Sequence, residues 1–380
     1  MVRSVIIFED MNKLLRATRH LRIEEILTVI YITVVSLINF LMFNDSISGI
    51  SSVKSVIRYF NFGESLFYIF FFLVILYFLW NLINALSLII TRHLISKNPM
   101  KRSEILGLSK FTWKALRSML PIIFVPAVAS TLLSHLNFSL RFTNYDLLFA
   151  SIDHTLIGSY VFLDLPLFIS DIGQADLVFY SYILLPVIIG ILLIALYIKR
   201  PATLYREMII AFLLSMAVSF PFFALFPCIG PNNYFIRNLH NNSAPEAIAS
   251  RLQGFDPGEK IRKYTAQVAD AQTIPGPDHV VPISAFPSMH TIWGMLVVYY
   301  CFRVRRTSLF VTIPWILFML AGGLMLGQHY VIDYVAAIPF IIIIISLSRM
   351  LMKRYGSLGT PLRTVSFAAT LKQYTQKPAP

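Results

Sequence analysis

Eight apolar runs, most of them near the roughly 20 residues that a helix needs to cross a bilayer, constrain this 380-residue chain more than any other feature. They lie near 23–44, 65–91, 111–134, 177–198, 208–227, 288–302, 308–327 and 330–350. The sixth is short for a span, and the eighth ends in the unbroken run Ile341 to Ile345, which fits nowhere except in lipid. Backbone in lipid must satisfy its own hydrogen bonds, so the reading is an all-α, polytopic membrane helix bundle of about eight spans. Composition agrees: 57% of residues are apolar and 13% charged, against about a quarter charged in an ordinary globular domain. Soluble enzymes, secreted disulfide scaffolds and disordered tails are thereby excluded.

The net charge of +13 would point to nucleic acid in a soluble protein, but here it is distributed by the threading of the chain. With both termini in the cytoplasm, the inner segments hold three quarters of the 32 Lys and Arg, and the outer segments hold most of the 19 Asp and Glu. That bias favours eight spans with both ends inside and no nucleic-acid partner. Glu9, Asp10, Glu24 and Glu25 interrupt the N-terminal stretch, so no cleavable signal is expected and the first span stays as an anchor.

Two outer segments are long. Residues 135–176 carry Asp146, Asp153, Asp164, Asp171 and Asp176, with Leu148, Ile152 and Leu156 spaced by four, as in a short amphipathic helix on the membrane surface. Residues 228–287 are polar and rich in Pro and Gly, and read as a lid. Cys228 and Cys301 fall at opposite membrane faces and cannot pair, and no Cys/His spacing resembles a zinc site. Sequons at Asn44, Asn137 and Asn241 lie in outer segments. No internal repeat of the kind found in many transporters is visible.

The chemistry concentrates in two motifs. Phe286-Pro287-Ser288-Met289-His290 starts a helix at the outer end of the sixth run. Free N–H groups there make an anion site, Ser288 adds a hydroxyl, and His290 sits in the first turn. The plainer reading is a helix cap beside an interfacial histidine. Gly327-Gln328-His329-Tyr330-Val331-Ile332-Asp333 opens the eighth run. His329 and Asp333 are four apart, so the carboxylate can hold one ring nitrogen and leave the other as nucleophile or base; the plainer reading is a His–Asp pair steadying a helix start. The threading brings His290, His329 and Asp333 to one membrane depth. Gly322, Gly323 and Gly327 in the seventh run would let helices approach closely. Two histidines, a carboxylate and a helix N-terminus suit transfer of an anionic group, one His attacking and the other protonating the leaving oxygen.

Pro-Ser-x-His followed about forty residues later by His-Tyr-x-x-Asp resembles the second and third signature motifs of the type 2 phosphatidic acid phosphatase superfamily. The branch of inositol phosphorylceramide synthases and related bacterial membrane proteins is the more similar. Phe226-Pro227-Cys228-Ile229-Gly230-Pro231 is similar to that branch's Pro-rich turn, as is the segment from Tyr145-Asp146 through Asp153 and Gly158, and a six-span core. The resemblance covers about residues 135–350.

It implies that His329 forms a phosphohistidine, Asp333 orients it, His290 protonates the departing oxygen, and Ser288 with nearby N–H groups holds phosphoryl oxygens, without metal or other cofactor. The superfamily's first motif, a Lys with Arg-Pro seven residues on, is absent from the outer face; Lys199-Arg200-Pro201 has another spacing and lies inside. The Arg usually six before the nucleophile corresponds to Gly323, and the Arg after the Gly-Pro turn to Asn232. Asn232 and Arg237 are the nearest phosphate-binding candidates, with Arg251, Lys260, Arg262 and Lys263 further along the lid. The domain reading is 1–110 as an N-terminal segment with two additional spans, 111–352 as the six-span core and 353–380 as a basic cytoplasmic tail. The function expected is cleavage or transfer of a phosphate-bearing lipid headgroup at the extracytoplasmic face, transfer favoured. The alternatives are a simple lipid phosphate phosphatase and a non-catalytic transporter or scramblase. The partner expected is a membrane lipid with a phosphate or phosphodiester headgroup; the sequence does not fix the oligomeric state.

Overall fold

The computed structural model describes residues 22–43, 144–199, 202–237, 244–272 and 286–356, with positions 83 and 117. The runs at 65–91 and 111–134, the three sequons and the basic tail beyond 356 otherwise lie outside the described residues. Among the described residues every regular element is helical. In chain order these are α1 (Ile23–Phe43), α2 (Asp146–Ile157), α3 (Val161–Asp171), α4 (Ala175–Ile183), α5 (Leu185–Lys199) and α6 (Ala202–Leu225). A π-helical turn, Asn232–Ile236, follows, then α7 (Glu246–Leu252), α8 (Glu259–Gln272), α9 (Met289–Val304), α10 (Leu309–Met325) and α11 (Val331–Tyr355).

Three stretches, Thr203–Phe223, Arg306–Met325 and Val331–Tyr355, are each long and apolar enough to cross a membrane unaided. Two bent pairs reach that length together: α2 with α3, bent by 64°, and α4 with α5, bent by 51°. The run at 177–198 is therefore not one straight helix. Pro186 has no N–H for the Tyr182 carbonyl and crowds the turn before it, which accounts for a break at Leu184. The surface helix expected within 135–176 is two helices, separated by Gly158 in the left-handed conformation at φ 79°.

Helices α6, α9, α10 and α11 pack around one another, with α4 against α10 and α1 against α6. Ile292, Leu296, Val297 and Tyr300 on one face of α9 are fully buried against this bundle, as are Met208, Ile209 and Ala211 of α6. Phe310, at 83% exposure, faces outward with Val311, Leu317 and Ile342. Large apolar groups on the outside of apolar helices are what a lipid solvent selects, so inward packing is a matter of fit between side chains. A second apolar cluster, with Phe149, Phe162, Phe235 and Tyr330, sits under the turn at Phe226–Pro231.

Three helix ends bear on the site, the starts of α9 and α11 and the end of α10. Ser288 caps α9, its Oγ accepting from the Thr291 N–H at 3.2 Å. Gly327, at φ 61°, stops α10, and Asp333 in the first turn of α11 accepts from the Tyr330 N–H at 2.8 Å. Lys353 and Arg354 occupy the last turn of α11, where cations suit the carbonyl end of the dipole. The starts of α9 and α11 and the end of α10 thus meet at one end of the bundle. The starts of α1 and α6 and the end of α11 meet at the other.

Candidate active site

His329 stands between an acid and a hydroxyl. Its Nδ1 lies 3.3 Å from Asp333 Oδ2 and its Nε2 lies 3.2 Å from Ser288 Oγ. Ser288 Oγ also accepts from the Thr291 hydroxyl at 2.9 Å and from the Thr291 N–H, which fills its acceptor capacity and directs its own proton toward Nε2. Asp333 accepts from the Tyr330 N–H through the same oxygen that faces His329, and as a carboxylate it can only accept from Nδ1–H as well. One tautomer satisfies all of these bonds: Nδ1 protonated, Nε2 carrying the lone pair. Ser288, His329 and Asp333 are all buried. A further bond, from the Ser288 N–H to the Asp333 carbonyl at 3.3 Å, ties the start of α9 to the first turn of α11.

His290 faces His329 with ring centroids 5.8 Å apart. It is half-buried, stacked on Tyr182 of α4 at 4.5 Å, and its Nδ1 lies 3.3 Å from the Tyr182 hydroxyl. That leaves Nε2 of His290 as the nitrogen available to a reacting group. Tyr182 carried no signal in the sequence beyond being an aromatic residue in an apolar run.

The glycines shape the floor. A Cβ on Gly322 would lie 2.7 Å from the Val178 carbonyl, so α4 and α10 touch backbone to side. A Cβ on Gly323 would strike the Tyr334 hydroxyl and come within 3.2 Å of the His329 ring. Tyr334 donates to the Leu320 carbonyl at 2.8 Å and its ring lies 5.6 Å from that of His329. The space beside Gly323 is therefore filled by Tyr334, the His329 ring and the ring of Tyr182, which a Cβ would meet at 3.3 Å.

Asn232, at the start of the π-helical turn, is buried and donates its N–H to the Gly327 carbonyl at 2.8 Å. Its Nδ2 has no partner among the described residues. Gly327 is pressed onto it, since a Cβ there would meet that of Asn232 at 2.8 Å. Arg237 closes the same turn, its N–H on the Asn232 carbonyl at 2.8 Å. Three lid cations are engaged elsewhere: Arg251 by Asp164, Lys260 by Asp176 at 2.9 Å, and Arg262 by Asp256.

Two carboxylates of α2 hold this end together. Asp146 accepts from the Ile229 and Gly230 N–H groups at 2.9 Å each, from the Cys228 thiol at 3.2 Å and from the Tyr330 hydroxyl at 2.8 Å. Burial and the adjacent Asp146 carboxylate push the Cys228 thiol well up. Asp153 accepts from the Val331 and Ile332 N–H groups at 2.7 and 2.9 Å and so caps α11 from another helix. The apolar stripe of Leu148 and Leu156 faces outward, and the acidic face of α2 is the buried one. Sequence reasoning had these acids only as part of a loose resemblance. Their partners are mostly backbone N–H groups, 83 and 84 positions away for Asp146 and 178 and 179 for Asp153, which leave no trace in residue type.

Among the described residues no group of three or more His, Cys, Asp and Glu converges as a metal-ligand set would. The arrangement offers a nitrogen lone pair held by a carboxylate, a second imidazole opposite it, and hydroxyl and N–H donors at a helix start. Those are the parts needed to attack, protonate and hold an anionic group. Residues 172–347, just under half of the chain, match the model of the PAP2 superfamily. The matched segment contains Ser288, His290, His329 and Asp333, and begins after Asp146 and Asp153. No curated protein and no solved structure matches the chain.

Proposed function

We propose that this chain is a multi-pass membrane enzyme that cleaves or transfers a phosphate-bearing lipid headgroup at the extracytoplasmic face through a phosphohistidine on His329. The observation that carries the reading is the line Asp333–His329–Ser288 with His290 opposite. The match to the PAP2 superfamily supports chemistry of the phosphatase type on lipid phosphates.

In the first step the Nε2 lone pair of His329 attacks phosphorus and the bond to the leaving oxygen breaks. His290 delivers a proton to that oxygen, and Asp333 steadies the cation left on the His329 ring. Ser288 turns its hydroxyl from Nε2 to a phosphoryl oxygen, joined by the N–H groups at the start of α9 and the Nδ2 group of Asn232. Arg237, on the same turn, is the cation assigned to the phosphate. In the second step water or an acceptor hydroxyl gives a proton to His290 and attacks phosphorus, and the N–P bond breaks. Hydrolysis and transfer differ only in that acceptor. The likeness to the inositol phosphorylceramide synthase branch favours transfer of a phospho-headgroup. The charge bias of the connecting segments supports eight spans, termini inside and the site outside.

The test is turnover of labelled phospholipids by the purified protein, with and without a ceramide or polyprenol acceptor, comparing wild type with His329→Ala and His290→Ala. Acceptor-dependent product supports transfer, and free phosphate alone supports a phosphatase. Full turnover in His329→Ala removes the proposed nucleophile. Lipid flux in liposomes that survives loss of His290, His329 and Asp333, without any turnover, would make the protein a scramblase.

A further inference from the structure

The end of the bundle opposite the histidines carries a second, separate cluster of charge. Glu24 and Glu25 open α1, and both are already engaged. Arg206 of α6 grips Glu24 with Nε at 2.9 Å and Nη2 at 3.0 Å, and gives Nη1 to the Gly356 carbonyl at 2.6 Å. This pair is almost wholly enclosed, at 3% and 1% exposure. Glu25 pairs with Arg117 and accepts from the Arg22 N–H at 2.8 Å. The Arg22 side chain is left over. It is 2% exposed, and its Nη1 is enclosed without a hydrogen-bond partner among the described residues.

Among the described residues, the guanidinium groups of Arg22, Arg117 and Arg206 gather around the carboxylates of Glu24 and Glu25. The charges of Glu24, Glu25, Arg117 and Arg206 all act on Arg22, and burial pulls its guanidinium below the usual range. An enclosed guanidinium with an unsatisfied Nη1 is costly, because that group has given up water without gaining a hydrogen bond. The cost disappears when an anion of matching shape is present, and the planar guanidinium fork matches phosphate. Arg117 is about a quarter exposed, so the cluster is open on that side.

We propose that Arg22, with Arg117 and Arg206 behind it, forms a phosphate-binding site at the end of the bundle remote from His329. The ligand class is a phosphate group, whose oxygens accept from the enclosed Arg22 Nη1. It comes from an anionic phospholipid headgroup or from free phosphate. The site is distinct from the catalytic one, since α11 alone separates its 25-residue ends by about 37 Å. An anion held there fastens α1 to α6 and to the end of α11, and so docks the first span onto the rest of the bundle.

The experiment uses the full chain in neutral detergent. Thermal unfolding is followed while dioleoylphosphatidylglycerol, dioleoylphosphatidylcholine or inorganic phosphate is added in separate arms, for wild type, Arg22→Gln and Arg22→Lys. The expected result is a rise in Tm with phosphatidylglycerol and none with phosphatidylcholine. Its midpoint should be about tenfold weaker in Arg22→Gln, with Arg22→Lys between the two. A rise with inorganic phosphate that also depends on Arg22 supports the site with a soluble ligand. The same midpoint in wild type and Arg22→Gln overturns the proposal. So does a wild type that responds to neither anion while Arg22→Gln is simply more stable. Lipid turnover should persist in Arg22→Gln, which keeps this test apart from that of the catalytic reading.

Discussion

The Tyr330 hydroxyl donates to the Asp146 carboxylate across 2.8 Å, joining the residue beside His329 to a helix 184 positions earlier in the chain. The same carboxylate holds the turn at Ile229 and Gly230, so the two strands of chain that flank the site share one anchor. Asp146→Asn keeps the volume but turns an amide NH2 toward donors. The expected loss is about 3 kcal/mol of stability, because bonds to a buried charged group are replaced by a donor clash. Thermal unfolding in detergent reads it, and an unchanged midpoint would show that Asp146 is dispensable.

Asp333→Asn tests the tautomer. The amide can still accept from the Tyr330 N–H, yet it no longer favours a proton on His329 Nδ1 or steadies the cation formed on attack. Single-turnover rates should fall about a thousandfold or more, with binding of the lipid little altered.

Tyr182→Phe keeps the ring stacked on His290 and removes the hydroxyl at Nδ1. We expect kcat to fall about tenfold with KM nearly constant, and the limb of the pH profile that reports His290 to move. A structural role alone would leave that limb in place.

Gly323→Ala places a methyl group against the Tyr334 hydroxyl and the His329 ring. The ring or the tyrosine must move, and a small displacement of a nucleophile is costly, on the order of a hundredfold in kcat. Restored activity in a Gly323→Ala, Tyr334→Phe double variant would identify the hydroxyl as the obstacle.

The lid should respond to pH at both extremes. The Gly258 N–H and Arg262 hold the Asp256 carboxylate below its usual range, so this tie stabilises the folded lid above the ordinary carboxylate pKa and is lost as pH falls through the lowered value. Tyr264 donates to Asp176, and that bond raises its hydroxyl to about 12. Its contribution is complete below the ordinary tyrosine value near 10 and fades as pH rises through about 12. Limited proteolysis between α7 and α8 should quicken on acidification in wild type, and already at neutral pH in Asp256→Ala.

How far the sequence could be read depended on whether a residue's partner was local. His329 and Asp333 are four apart on one helix, and Ser288 and His290 share a helix start, so spacing and threading together predicted their meeting. The bend before α5 had a local cause too, Pro186, which was there to be read but was swallowed by an apolar run. Tyr182, Asp146 and Asp153 act across 83 to 184 positions on partners that are backbone N–H groups, a tyrosine hydroxyl or another ring. Residue type alone says nothing of such pairings. The lid cations were legible as charges, but the engagement of Arg251 by Asp164 and of Lys260 by Asp176 depended on where α3 and α4 run, whereas Arg262 and Asp256 pair locally within the lid.

Asp146 and Asp153 are seven residues apart, two turns of α2, so one stripe of that helix presents both carboxylates. The spacing works as a gauge: it fixes how far the turn at Ile229 lies from the first N–H groups of α11. One residue inserted between them would swing Asp153 by about 100° and release the start of α11, while the apolar count of the helix stayed the same. Length drift in this helix is therefore closed to the chain, whereas substitutions on its outward stripe of Leu148 and Leu156 are not.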